Sequence, residues 1–224
     1  MIMKCSIHHI CAVLIGCIFI GCNDNKTAAP DAGVKDTTAT VGFVESAGNK
    51  NTAADHRKED STELTQLIRK VYAWKDTSFK AGAYFIPAKA SPSDTAYTSM
   101  DSKKNDKQVN KVIVSGYFSE EFADNYRRII HYMDTSLRNG SAVWMDGELP
   151  PFNLDADIWC NCQDFPDDNY YDRMTISSLS IEGEKASFNW NIPEGHSYAV
   201  RAMKVNGKWT IEWLSGFDAK GFGM

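Results

Sequence analysis

Between Asp146 and Asp172 the chain has no Lys and no Arg, although eight carboxylates fall there: Asp146, Glu148, Asp155, Asp157, Asp164, Asp167, Asp168 and Asp172. Basic residues are in deficit overall too, with 24 Lys and Arg against 29 Asp and Glu and no basic stripe along the chain. That balance lacks the electrostatic footprint of a nucleic-acid binder or of a protein held to anionic lipid by charge. No nucleic-acid partner is expected.

The motifs of common chemistries are missing as well. There is no G-x-S-x-G elbow, no H-E-x-x-H and no Gly-rich phosphate loop, so nothing local marks a nucleophile, a zinc protease or a nucleotide site. Cysteine is scarce beyond the start: of six, only Cys160 and Cys162 follow residue 22. A thioredoxin-like centre needs C-x-x-C opening a helix in a βαβ unit, and zinc needs further Cys or His at ligand spacing; the C-x-C stands without either. Calcium could take oxygens from Asp155, Asp157, Asn161 and Asp164. The glycine such a loop needs at its sixth position is Cys160 here, however, and its twelfth-position Glu is Pro166. No catalytic residue, metal or cofactor is assigned.

No apolar run reaches the roughly 20 residues of a bilayer span. What stands at the start is shorter. One Lys, Lys4, precedes the apolar stretch ICAVLIGCIFIG, which ends at Gly21-Cys22. This has the length of a signal-peptide hydrophobic region, and a small residue followed by Cys resembles a bacterial lipobox. Leu14-Ile15-Gly16-Cys17 fits Leu-x-Gly-Cys better, but Phe19-Ile20-Gly21-Cys22 leaves the fuller apolar region and the polar Asn23-Asp24-Asn25 behind it. The reading favours Cys22 as the lipidated residue, with residues 1–21 removed as a signal peptide. Loss of Lys4 then leaves 23 basic against 29 acidic side chains, a net charge of −6. The bilayer contact comes from the acyl chains, which suffice for stable anchoring. Asn23 rather than Asp after the anchor favours the outer membrane, facing the periplasm or the cell surface.

Residues 22–60 are rich in Ala, Thr, Asp, Asn, Lys and Gly without a sustained period, which predicts a disordered tether. A cone domain over residues 61–216 and a C-terminal tail over 217–224 complete the expected organisation. Asp60 and Glu63 have capping-box spacing ahead of Leu64, Leu67, Ile68, Val71 and Tyr72, one face of an amphipathic helix. Residues 88–110 read as a polar inserted loop, and Val112–Val114 as a short strand. Ser119 caps a second helix whose apolar residues Phe118, Phe122, Tyr126, Ile129, Ile130, Met133 and Leu137 lie within about 120° of arc. After Asp172 the period changes to two. Met174–Ile181, Ala186–Ile192, Ser197–Val205 and Trp209–Leu214 read as consecutive strands, the last pair joined by Asn206-Gly207.

Helices followed by an antiparallel meander predict an α+β fold, two or three helices packed on a curved antiparallel sheet. The order, closing on VNGKWTIEWL, resembles the cone of nuclear transport factor 2-like and cystatin-like domains over about Thr62–Ser215. Asp155, Asp157, Gln163 and Asp164, with the lipobox and the final hairpin, are similar to the YbjP-like family of uncharacterised bacterial lipoproteins. That family usually has Pro-Phe after the second Asp, where this chain has Ile158-Trp159. The resemblance implies fold and address rather than an activity. Some cones are enzymes with an Asp and a His in the cavity, for which His196 and Asp155 or Asp157 would be the candidates.

Two functions stay open. One is a non-enzymatic binding module, immunity-type proteins included, in which Asp155, Asp157, Trp159 and Asp164 meet a cationic protein or small molecule. The other is a small cavity-based hydrolase or isomerase. If Asp155–Asp164 is extended, Asp155, Asp157, Trp159, Asn161 and Gln163 share one face and Cys160 and Cys162 the other. A straight strand disfavours a Cys160–Cys162 disulfide, so packed free thiols are expected.

Overall fold

Asn206 and Gly207 both have left-handed backbones, φ 53° and 76°, which suits the two-residue turn that joins strands without splaying them. They close β7 (Ser197–Val205) onto β8 (Lys208–Leu214). With β5 (Thr175–Glu182) and β6 (Lys185–Asn191) these form a four-stranded antiparallel meander in sequence order. The computed structural model describes residues 50–79, 84–152, 156–163, 169–193 and 195–224.

Alternation along the meander separates two faces. Ala186, Phe188 and Trp190, Tyr198, Val200 and Ala202, and Trp209 and Ile211 are buried. Over that face lie α1 (Lys50–Ser78) and α3 (Glu120–Arg138). Leu64, Leu67, Ile68, Val71 and Tyr72 face inward from α1, and Phe122, Tyr126, Ile129, Met133 and Leu137 from α3. The fold is α+β, helices on one face of a curved antiparallel sheet, as the periodicity predicts. Among the described residues no helix is long and apolar enough to cross a membrane.

Ser119 caps α3 as expected, its hydroxyl accepting from the Phe122 N–H. Other boundaries differ. Helix α1 begins at Lys50, so residues 50–60 are helical rather than tether, and Asp60 is no cap. It sits mid-helix, 2.6 Å from Lys204 Nζ, and accepts from Trp209 Nε1 at 2.9 Å. The expected loop at 88–110 holds three two-residue strands, β1 (Pro87–Ala88), β2 (Ala96–Tyr97) and β3 (Ser99–Met100), and then α2 (Ser102–Ser115). β1 pairs with β3, and β2 with β4 (Trp144–Met145). Val112–Val114 is helical, not a strand, because Asp101 caps α2 by accepting from the Lys104 N–H. The tail is not a tail either: 217–224 folds back as 3₁₀ turns that bury Phe217 and Phe222.

Both edges of the meander are occupied. Beyond β8, Ile211 N–H donates to the Tyr117 carbonyl and Ser119 N–H to the Ile211 carbonyl, at 2.8 and 2.9 Å. At β5, Arg69 donates twice to the Met174 carbonyl, at 3.0 and 2.8 Å, and Arg57 to the Leu179 carbonyl at 3.3 Å. Helix α1 thus satisfies edge carbonyls that would otherwise template another strand.

Candidate functional site

Residues 156–163 form a turn, not an extended strand. Asp157 N–H donates to the Cys162 carbonyl at 2.9 Å, and the Asp157 carbonyl accepts from Asn161 N–H at 2.7 Å. Asn161 takes the left-handed conformation, φ 53°, a region that Asn tolerates better than most residues. The bend brings the Cα atoms of Cys160 and Cys162 to 5.2 Å and the two are joined by a disulfide, which corrects the expectation of free thiols. Both cysteines are buried.

Trp159 lies at the tip of this turn and is completely buried. Its indole meets Tyr72, Trp74, Phe79, Tyr84, Phe118 and Phe217 at centroid distances of 5.2 to 6.4 Å. Trp159 is therefore a core residue and cannot serve as a surface contact, which corrects its assignment to a partner-binding face. Ile158 and Trp159 offer their carbonyls inward, where Tyr198 and Tyr72 donate to them. Trp190 Nε1–H in turn donates to Tyr72 Oη at 2.9 Å, and Gly216 N–H to Tyr198 Oη at 2.7 Å. A Cβ at Gly216 would fall onto the Ile158 carbonyl, so glycine is required there for close approach rather than for a special φ. Among the described residues Trp159 Nε1 has no acceptor.

Asp157 is the one described carboxylate of the candidate set, and it faces inward. It accepts from Tyr84 Oη at 3.0 Å and from Trp159 N–H at 2.8 Å. Burial pushes its pKa up, against the opposing pull of the Trp159 N–H, the Lys75 charge and the Tyr84 hydroxyl. Lys75 is itself buried, 3.3 Å from Asp76 and 5.9 Å from the Tyr84 ring centre. Burial lowers its pKa, while Asp157 and Asp76 raise it. Burial likewise raises the pKa values of Tyr72, Tyr84 and Tyr198, so all three are protonated donors at neutral pH. Asp157 has no hydrogen bond to His196, which is half-buried beyond β6. The Asp–His pair of an enzymatic cone is not formed between these two.

Cys22 and Cys17, Asp155 and Asp164 lie outside the described residues. Gln163 and Asn169, which bracket Asp164, Asp167 and Asp168 in sequence, are described and both exposed, as is Asn161. The sequence reading did not find Tyr198, Tyr84 or Gly216 as parts of this assembly. Tyr72 carried a signal as the last residue of the α1 stripe, and Trp190 through the alternation along β6. Among the described residues no group of His, Cys, Asp and Glu is arranged to hold a metal ion. Comparison with family models, curated proteins and solved structures returned no match.

Proposed function

We propose that the chain is a cell-envelope lipoprotein, acylated at Cys22 and seated in the outer membrane, whose α+β domain is a non-enzymatic binding module. Its partner is cationic, a basic protein of the kind an immunity protein neutralises or a small cation, and it docks on the acidic stretch around the Cys160–Cys162 turn. The observation that carries this reading is the locking of 156–163 at its centre while Asn161 and Gln163 on its C-terminal side stay exposed. Trp159, the disulfide and two tyrosine hydroxyls hold the turn, and exposed Gln163 and Asn169 bracket three further carboxylates. A fixed base reduces the ordering cost of binding, and like charges concentrated there steer a basic partner. Asp157 leaves the contact set because its oxygens are engaged inside; Asp155 and Asp164 remain, and Asp168 follows in the same acidic run of the sequence. The likeness to YbjP-like lipoproteins supports the address.

The test is capture of periplasmic or neighbouring-species protein by the anchored chain and by Asp155→Asn/Asp164→Asn/Asp168→Asn. The triple variant should keep its melting temperature and lose a partner whose binding weakens with salt. Equal capture by both chains at every salt concentration refutes the reading.

A further inference from the structure

The outward face of the meander carries residues that a strand does not favour. On β6, an interior strand, the outward positions are Lys185, Ser187, Asn189 and Asn191, and on β5 they include Ser177 and Ser180. Ser and Asn compete with the ladder through their own backbone bonds, and Asn is depleted in strands. Local choices that oppose the fold mark functional positions more often than structural ones. These side chains are also ordered among themselves, since Asn191 Nδ2 donates to Ser177 Oγ at 2.7 Å.

Register lines up one row across all four strands. Ser180 faces Ser187, Ser187 faces Arg201, and Arg201 faces Trp213. The Arg201 guanidinium lies 4.6 Å from the Trp213 ring centre, with Arg201 exposed and Trp213 half-exposed. Beside the row is a hollow of about 220 Å³ lined by Ser180, Glu182, Lys185, Ser187, Arg201 and Glu212. Its two acids and two bases balance, and Lys185 and Glu212 are paired at 3.3 Å.

We propose that this face binds a neutral saccharide chain. Hydroxyl and amide groups both donate and accept, which matches a ligand whose every hydroxyl does the same. The balanced charges favour neither a polyanion nor a polycation. With the Arg201 guanidinium over the Trp213 ring, the pair offers a planar group with N–H donors beside an aromatic edge, which a sugar ring can meet with its C–H face and its hydroxyls. A second copy of the chain is a poorer occupant: a homodimer core is enriched in apolar side chains, and on this face they come from β7, as Ala199, Met203 and Val205, and from Trp213, while β5 and β6 present Ser, Asn and Lys. The proposal is independent of the cationic partner at the Cys160–Cys162 turn.

The test uses the full anchored chain in a detergent without a sugar headgroup, titrated with N-acetylglucosamine tetramer, cellotetraose and maltotetraose, with binding followed by ligand-observed NMR and calorimetry. At least one should bind with a Kd of about 10 mM or tighter. Arg201→Ala and Asn189→Ala should each weaken it about fivefold or more with the fold retained. If either variant unfolds, Arg201→Lys replaces it, keeping the charge but losing the plane, and must also weaken binding. No binding across the panel, or binding that these variants leave unchanged, overturns the proposal. So does a concentration-dependent dimer in sedimentation that Arg201→Ala abolishes, which would assign the face to a second copy.

Discussion

Trp159 allows two substitutions whose outcomes separate packing from hydrogen bonding. Trp159→Ala removes an indole surrounded by six aromatic rings, and truncating a buried aromatic typically costs about 3–5 kcal/mol. That is a large fraction of the about 5–15 kcal/mol that holds an ordinary domain together. Trp159→Phe keeps a ring in place and loses about 40 Å³, which at about 24 cal/mol per Å³ costs about 1 kcal/mol. It also removes a buried N–H that has no acceptor among the described residues, a burden of about 1–3 kcal/mol. The phenylalanine variant should therefore match or exceed wild type, while the alanine variant falls several kcal/mol below both. Urea unfolding followed by circular dichroism would show this as a shift of midpoint at constant slope. If Trp159→Phe is destabilised as much as Trp159→Ala, the indole N–H is making a bond that matters and the reasoning is wrong.

Gly216→Ala should lower the urea midpoint clearly, because its methyl group would fall onto the Ile158 carbonyl; a variant as stable as wild type would mean that the turn shifts freely. For Asp60, burial pushes the pKa up, but the hydrogen bonds from Lys204 and Trp209 outweigh it and leave the carboxyl below its ordinary 3.8. Such a group stabilises the fold above the unfolded-state pKa and loses that contribution as pH falls through the folded value. The melting-temperature gap between wild type and Asp60→Asn should thus be widest near neutrality and close below about pH 4; a gap independent of pH would count against it. Cys22→Ala should leave an unprocessed precursor without fatty-acid label, whereas label lost only in Cys17→Ala would move the anchor to the earlier cysteine.

The meander was legible because its signals are local: Asn206-Gly207 makes its own turn, and Phe188, Trp190, Trp209 and Ile211 alternate with polar residues. Helix α3 was legible from Ser119 and its apolar stripe. Helix α2 was hidden because two of its inward positions are polar. Asn105 is buried by bonding the backbone of Ile86 in both directions, and Gln108, one turn further on, is buried too, so the apolar period that marks a helix is broken. Trp159 misled for a different reason. Its neighbours in sequence are acidic, yet one left-handed residue, Asn161, turns the chain and sends the indole inward. Phe217 and Phe222 looked like a tail because their partners, Phe122 and Phe85, are more than 90 residues away.

The spacing of Cys160 and Cys162 bears on how the chain is made. A ring across two residues of separation removes little freedom from the unfolded chain, about 1.6 kcal/mol on the loop-entropy relation against about 3 kcal/mol for a fifteen-residue loop. Its value is kinetic: the two thiols are neighbours as soon as both are exposed to oxidant, before any helix has met the sheet. On the lipoprotein reading Cys22 is occupied by its lipid, and no third thiol follows residue 22. Oxidation then has one intramolecular product, and export of the chain should proceed without a disulfide isomerase to reshuffle it.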